Sequence, residues 1–226
     1  MIDKGMNSPL FSSKLLLVPL FQGFSRLDFI DIVGKVPFDF KSFKPNESIV
    51  RQGEACQSLY ILIDGEVQVI TENAEQTYRL TEQLRAPWVI QIENLFGLHN
   101  RYTRSVYAKT KTHVAIISKQ SVREMLTMYP AFQMNFYNSL STLTQRLAIL
   151  QWQKRCERVE ERFKTFLLHR SLRPSGSKGL HIHMEILAAE LGTTRLRVSN
   201  MLAEMASQNL LTYSRGIIHI IALEHL

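Results

Sequence analysis

At Tyr129-Pro130 the hydrophobic pattern changes period, and that change sets most of what this chain can fold into. Upstream, from Phe38 to Ser118, short β-branched or alternating runs (Ser48–Val50, Leu59–Ile63, Glu66–Thr71, Thr77–Leu80, Val114–Ser118) are broken by Gly53, Asp64-Gly65 and Glu72-Asn73-Ala74. Short strands with turn residues at this spacing predict a β-sandwich or roll. Asp64-Gly65 between two alternating runs reads as a hairpin turn, because glycine accepts the positive φ that a tight turn requires. Ahead of the strands, Ser25 with Asp28 three residues on predicts a capped helix to about Val33. Its apolar side would be Leu27 and Ile30 and, less regularly, Phe29 and Val33.

Downstream, Phe132, Phe136, Leu140, Leu143, Leu147 and Leu150 are spaced 4, 4, 3, 4 and 3 residues apart. From Phe136 onward this is the a/d alternation of a coiled-coil seam, flanked by polar Asn138, Ser141, Thr142 and Gln145. One reading is a helix buried in its own domain. The narrowness of the seam favours a partner helix, most simply a symmetry mate, with Phe136, Leu140, Leu143, Leu147 and Leu150 at the dimer interface. A second helix, about Glu157 to Ser171, turns Val159, Phe163, Phe166 and Leu167 inward after a hinge near Gln153–Cys156. The turn-rich stretch from Arg173 to Gly179 then delivers the chain to a small final module.

That module carries the most specific local signal. Met184–Leu191 reads as a short helix, Gly192 as its stop, and Thr193 or Thr194 as the cap of a second helix, Arg195–Ala206, that buries Val198, Met201, Leu202 and Met205. Two helices joined by a short glycine-containing turn make a helix-turn-helix, whose second helix offers its N-terminal residues to base edges in the major groove. Those residues are Arg195, Leu196, Arg197, Ser199 and Asn200. Arginine matches the guanine edge and asparagine the adenine edge. Thr193 and Thr194 suit phosphate contacts that set register. The β-like runs Leu210–Tyr213 and Ile217–Ile221 form a wing whose tip residue, Arg215, is placed to touch the DNA backbone. A packing hairpin without DNA contact is the bland alternative, and the arginines and the wing weigh against it.

Charge agrees with this placement. The chain carries 27 Lys+Arg against 20 Asp+Glu, a net +7. The excess is denser at the C-terminal end, with 11 Lys+Arg against 7 Asp+Glu after residue 150. A basic balance concentrated beside a helix-turn-helix points to double-stranded DNA as partner. Two cysteines, Cys56 and Cys156, cannot build a disulfide framework. No apolar run reaches the ~18 residues of a membrane span, and the opening residues lack a secretory pattern, so a cytoplasmic protein without membrane contact is expected. No P-loop, dinucleotide fingerprint, His-Glu-x-x-His or Gly-x-Ser-x-Gly motif is present, and no catalytic role is expected.

Leu187-Ala-Ala-Glu-Leu-Gly-Thr-Thr-Arg-Leu-Arg-Val-Ser-Asn-Met-Leu202, followed by Gln208-Asn-Leu-Leu211, resembles the helix-turn-helix and following strand of the Crp/Fnr family of bacterial transcription regulators. Ile49-Val-Arg-Gln-Gly-Glu-Ala-Cys-Gln-Ser-Leu-Tyr-Ile-Leu-Ile-Asp-Gly65 is similar to the first signature of its cyclic-nucleotide-binding domain, and Leu20-Phe-Gln-Gly-Phe24 to its opening segment. The resemblance implies an α+β chain with an N-terminal double-stranded β-helix (a β-roll) over residues 1–130. A dimerisation helix and hinge would follow over 131–155, and a winged helix-turn-helix over 156–226. Each subunit of a homodimer would contact half of a palindromic site, and RNA polymerase would be a further partner if the protein activates.

The resemblance also places an effector pocket at Ile92, Glu93, Asn94, Tyr102 and Thr103. In family members that bind cyclic AMP, a Gly-Glu pair holds the ribose and an Arg followed by a small polar residue holds the cyclic phosphate. Here Ile92 precedes Glu93, and Tyr102-Thr103 occupies the phosphate position. Arg101 and Arg104, on an alternating strand, would point elsewhere. A cyclic phosphate without its arginine loses a charge-assisted contact, so any effector is expected to differ from cyclic AMP. An iron–sulfur cluster lacks its cysteines, and haem would have only His99 as an axial candidate. Cys56 has only Arg51 nearby to favour a reactive thiolate. The family's common Arg-Glu pair on the recognition helix reads Arg195-Leu196, which exchanges a cytosine acceptor for a side chain suited to a thymine methyl. Two readings compete on Ile90, Ile92, Leu95 and Phe96: a β-roll that binds no ligand and serves only as a dimerisation scaffold, with these residues filling the space, or a pocket for an uncharged or apolar effector.

Overall fold

The computed structural model describes residues 13–151 and 157–226. The expected hinge at Gln153–Cys156 lies outside them. The chain forms two compact units: residues up to Gln68 with Leu84–Gln145, and Val69–Gln83 with Arg146–Leu226. The segment Val69–Gln83, which sequence position alone assigns to the β-roll, thus groups with the C-terminal residues.

In the first unit, helix α1 (Arg26–Lys35) starts at the predicted cap. Ser25 Oγ accepts from the Asp28 N–H while Asp28 accepts from the Ser25 N–H, a reciprocal capping box. The predicted apolar side is turned around. Phe29 and Ile32 are buried, whereas Leu27 and Ile30 are 78% and 66% exposed. Phe29 is captured by an aromatic cluster, 5.5 Å from Phe21 and 6.3 Å from Phe38, and that cluster fixes the helix's rotation.

Eight strands precede the long helix, β1 (Phe38–Phe43), β2 (Ser48–Val50), β3 (Ser58–Asp64), β4 (Glu66–Glu72), β5 (Tyr78–Arg85), β6 (Trp88–Ile90), β7 (Ser105–Ala108) and β8 (Thr112–Ser118), and most of β5 with the end of β4 falls in the second unit. One sheet runs β1-β8-β3-β6, and in the other β4 lies beside β7 and β7 beside β2. Asp64-Gly65 is therefore not the turn of a paired hairpin, because β3 and β4 belong to different sheets. It is a corner. Gly65 has φ +93°, and a Cβ there would lie 2.7 Å from the Lys111 carbonyl oxygen, so the corner admits no side chain. The hairpin is formed instead by β4 and β5. Helix α2 (Lys119–Met128) follows β8, capped by Ser118.

Helix α3 (Pro130–Gln151) is the long helix expected from the 4, 4, 3, 4, 3 spacing. Its apolar residues divide. Phe132 and Phe136 are buried in the first unit, and Phe136 sits 5.9 Å from Phe96 and 6.4 Å from Phe132. The ring placed at the head of the dimer seam is thus a core ring of its own unit. Leu140, Leu143 and Leu150 are half-buried, and Leu147 is 61% exposed.

The second unit holds α4 (Val159–Arg170), β9 (Lys178–Ile182), α5 (Met184–Glu190), α6 (Arg195–Ser207), β10 (Leu211–Ser214) and β11 (Ile217–Ile220). Its core gathers Phe163, Phe166 and Leu167 of α4 with Leu187, Val198, Met201, Leu202 and Met205, and receives Leu80 and Tyr78 from β5. Strand β5 pairs antiparallel with β9 from Tyr78↔Ile182 to Glu82↔Lys178, and β9 pairs onward with β11, and β11 with β10.

Candidate nucleic-acid interface

Helix α6 begins where predicted, with Thr194 in extended conformation as its cap and the threonine hydroxyl accepting from the Arg197 N–H at 3.4 Å. The preceding helix ends at Leu191 and Gly192, whose carbonyls accept from Arg162 of α4 at 2.7 and 3.2 Å. This arginine satisfies orphan carbonyls at a helix end and locks the turn between the two helices. The sequence pattern gave no sign of that role.

Val198, Met201, Leu202 and Met205 anchor α6 inward, so the opposite side of its first two turns faces out. Arg195, Leu196, Arg197 and Asn200 are all exposed, Leu196 at 70%. Ser199 is half-buried. Arg195 lies 3.1 Å from Glu185 on α5, both side chains mostly in solvent, so the pair is weak and free to exchange for another partner. Thr193 stands apart from this group. Its hydroxyl is buried without a hydrogen-bond partner. At the wing, β10 and β11 pair from Leu211↔Ile220 to Ser214↔Ile217, and exposed Arg215 occupies the tip. The Ile182 N–H donates to the Gly216 carbonyl at 2.9 Å and ties that tip to the start of α5.

A buried ion pair holds the β5–β9 edge together. Glu82 and Lys178 are 1% and 3% exposed at the side chain and 2.9 Å apart. Glu82 also accepts from the Leu172 N–H at 2.7 Å and the Arg173 N–H at 3.2 Å, and Lys178 donates to the Ser175 carbonyl at 2.8 Å. The alternation Leu80, Glu82, Leu84 on one face of β5 was the sequence signal that could have placed Glu82 inside.

In the β-roll, two of the residues expected at an effector pocket, Asn94 and Thr103, are tied together through a neighbour, Gln91. Gln91 is 2% exposed and in left-handed conformation at φ 44°, just before the turn Ile92–Asn94. Its carboxamide oxygen accepts from the Thr103 N–H (2.8 Å), the Thr103 hydroxyl (3.0 Å), the Arg104 N–H (3.0 Å) and Asn94 Nδ2 (3.0 Å). Its Nε2 donates to the Arg104 carbonyl at 2.9 Å. Residues 101–104 are not part of an alternating strand, since β7 begins at Ser105, and the loop brings Arg104 to 3.9 Å from Glu93 rather than pointing it away. Ile92 and Tyr102 are buried, and the Tyr102 hydroxyl donates to the Ser58 carbonyl at 3.2 Å. Burial pushes the neighbouring Cys56 thiol above its ordinary range, the opposite of an activated cysteine.

Two family models match the chain in this order: the cyclic nucleotide-binding domain over residues 40–129 and the Crp-like helix-turn-helix domain over residues 161–226. The chain belongs to the Crp/Fnr family. Like the family's members it is a transcription regulator with a DNA-binding helix-turn-helix, and not an enzyme. The Crp/Fnr fold is also that of solved structures. The catabolite activator protein of Thermus thermophilus is 20% identical, with 89% of this chain and 93% of that one covered, at a TM-score of 0.53. The sensor domain of the transcriptional regulator DNR from Pseudomonas aeruginosa is 16% identical, with 65% and 95% covered, at a TM-score of 0.51. Among curated proteins no relative matches. No helix among the described residues is long and apolar enough to cross a membrane.

Proposed function

We propose that this Crp/Fnr regulator acts as a homodimer that reads a palindromic operator through α6, and that its β-roll is a scaffold rather than a cyclic-nucleotide sensor. The observation that carries the DNA reading is the exposed Arg195-Leu196-Arg197 with Asn200 on a helix whose other face is anchored in a core. An apolar side chain at 70% exposure between two arginines suits a base edge with a methyl group more than it suits water. The dimer reading is supported by the a/d spacing of Leu140, Leu143, Leu147 and Leu150, which leaves apolar surface open along α3. The scaffold reading is supported by Gln91, which already takes the N–H groups of Thr103 and Arg104.

Arg195→Ala should relax base preference at one position of each half-site, worth ~1–3 kcal/mol of discrimination, while Thr194→Ala should weaken binding to all sequences alike. Unchanged affinity and preference in Arg195→Ala would refute this docking. For the scaffold, cyclic AMP and cyclic GMP should leave the melting temperature unmoved, and a saturable rise would overturn it.

A further inference from the structure

Beside the wing lies a cleft of about 410 Å³ within the second unit, and neither the helix-turn-helix nor the β-roll reading accounts for it. Its walls bring Arg79 and Thr77 of the β4–β5 hairpin against His181, His183 and the wing-tip Arg215, and Glu72 is the single acid among the lining residues. Arg79 faces His181 across the β5–β9 ladder, and His181 faces Ile217 across the β9–β11 ladder, so hairpin and wing share one outer sheet face.

The cleft adjoins the end of the module that reads DNA. The Ile182 N–H donates to the Gly216 carbonyl, His183 immediately precedes α5, Glu185 lies in the first turn of α5, and Arg195 at the start of α6 pairs with Glu185. Each link is one or two residues long. Arg79 uses its Nε on Glu72 at 2.5 Å, and its side chain is 54% exposed, so the outer edge of its guanidinium faces solvent. Arg215 makes no ion pair among the described residues. Two guanidinium groups against one carboxylate leave the cleft net positive, and planar guanidinium forks match phosphate oxygens.

We propose that this cleft is a second DNA-backbone contact, in which Arg79 of the hairpin joins Arg215 of the wing in holding phosphate beside the half-site read by α6. The proposal rests on the DNA-binding reading and adds to it a residue from outside the winged module. It predicts a footprint wider than α6 and the wing would give, with the added part indifferent to sequence.

The test is fluorescence anisotropy of the full-length protein on a duplex selected from a random pool, repeated across a range of KCl concentrations. Each phosphate neutralised contributes a slope of about −0.9 in log K against log salt. Arg79→Gln should weaken binding by roughly 3–10-fold near 0.1 M salt and flatten the slope by about one, with the preferred sequence unchanged. Arg79→Lys should restore the slope, and Glu72→Gln should tighten binding by releasing the guanidinium. Arg26→Gln, on α1 of the first unit, serves as the control and should change nothing. If Arg79→Gln keeps the wild-type slope and affinity while Arg195→Ala shifts base preference, the cleft is not a DNA contact although α6 reads DNA. If inorganic phosphate or pyrophosphate raises the melting temperature through Arg79 with DNA binding unaffected, the cleft belongs to a small anion and the proposal fails. If the wild-type protein binds no duplex, the DNA-binding reading falls with it.

Discussion

Replacing Glu82 by Gln should destabilise the second unit more than any other single isosteric change there. The carboxylate is 1% exposed and engages three donors: Lys178 Nζ, the Leu172 N–H and the Arg173 N–H. A glutamine of the same shape offers only one oxygen. Its NH2 group then faces a backbone N–H, donor against donor, and Lys178, 3% exposed, keeps a charge without a counter-ion. Breaking a buried pair by removing one partner costs about 3–5 kcal/mol. Lys178→Met should cost less than Glu82→Gln, because the carboxylate keeps both backbone donors. The double variant should be less damaging than the two single effects added together, since neither buried charge survives. Urea unfolding followed by circular dichroism and by tryptophan fluorescence would measure the four proteins, two probes being needed because two units need not unfold together. A Glu82→Gln protein within about 1 kcal/mol of wild type would refute the reasoning, since no buried charge could then be left unpaired.

Three further outcomes are expected. Cys56 is 1% exposed with its thiol pKa pushed up by burial, so native protein at pH 7.5 should resist iodoacetamide at that position while denatured protein reacts; rapid native alkylation of Cys56 would contradict the packing. Gly65→Ala forces a Cβ to within 2.7 Å of the Lys111 carbonyl oxygen at φ +93°, and should lower stability by more than ~1 kcal/mol, whereas the same change at Gly34, with nothing within 4 Å, should be neutral or mildly stabilising. Leu143→Asp with Leu147→Asp should convert dimers to monomers in light scattering and abolish tight binding to a palindrome; a variant that remains dimeric would remove α3 from the interface.

How far the sequence foretold this structure depended on whether the deciding interaction was local. The cap at Thr194, the four anchors of α6 and the capping box at Ser25 are written within a few residues of one another, and each lies where the pattern placed it. Rotation and partnership are long-range properties and were less legible. Leu27 and Ile30 looked inward by period, yet the aromatic cluster around Phe21 captured Phe29 instead. Asp64-Gly65 carried a correct turn signal and the wrong partner, because a turn residue cannot say which sheet the next strand joins. Phe136 continued a heptad, but Phe96, forty residues upstream, claimed it. Among the residues proposed to meet DNA, the exposure of Arg195, Leu196, Arg197 and Asn200 was readable from the helical period, whereas the burial of the Thr193 hydroxyl follows from the fold of the turn. Gln91 was invisible, being one glutamine among many until residues 94, 103 and 104 converge on it.

Selection of bound duplexes from a random pool by the full-length protein tests the central claim most directly. The account predicts enrichment of an inverted repeat whose half-site centres lie about 10 bp apart or a multiple of that, the spacing a two-fold dimer imposes on successive major grooves. Each half-site should change at one position in Arg195→Ala. A pool that stays random, or that enriches a single unrepeated site bound by a monomer, would contradict it.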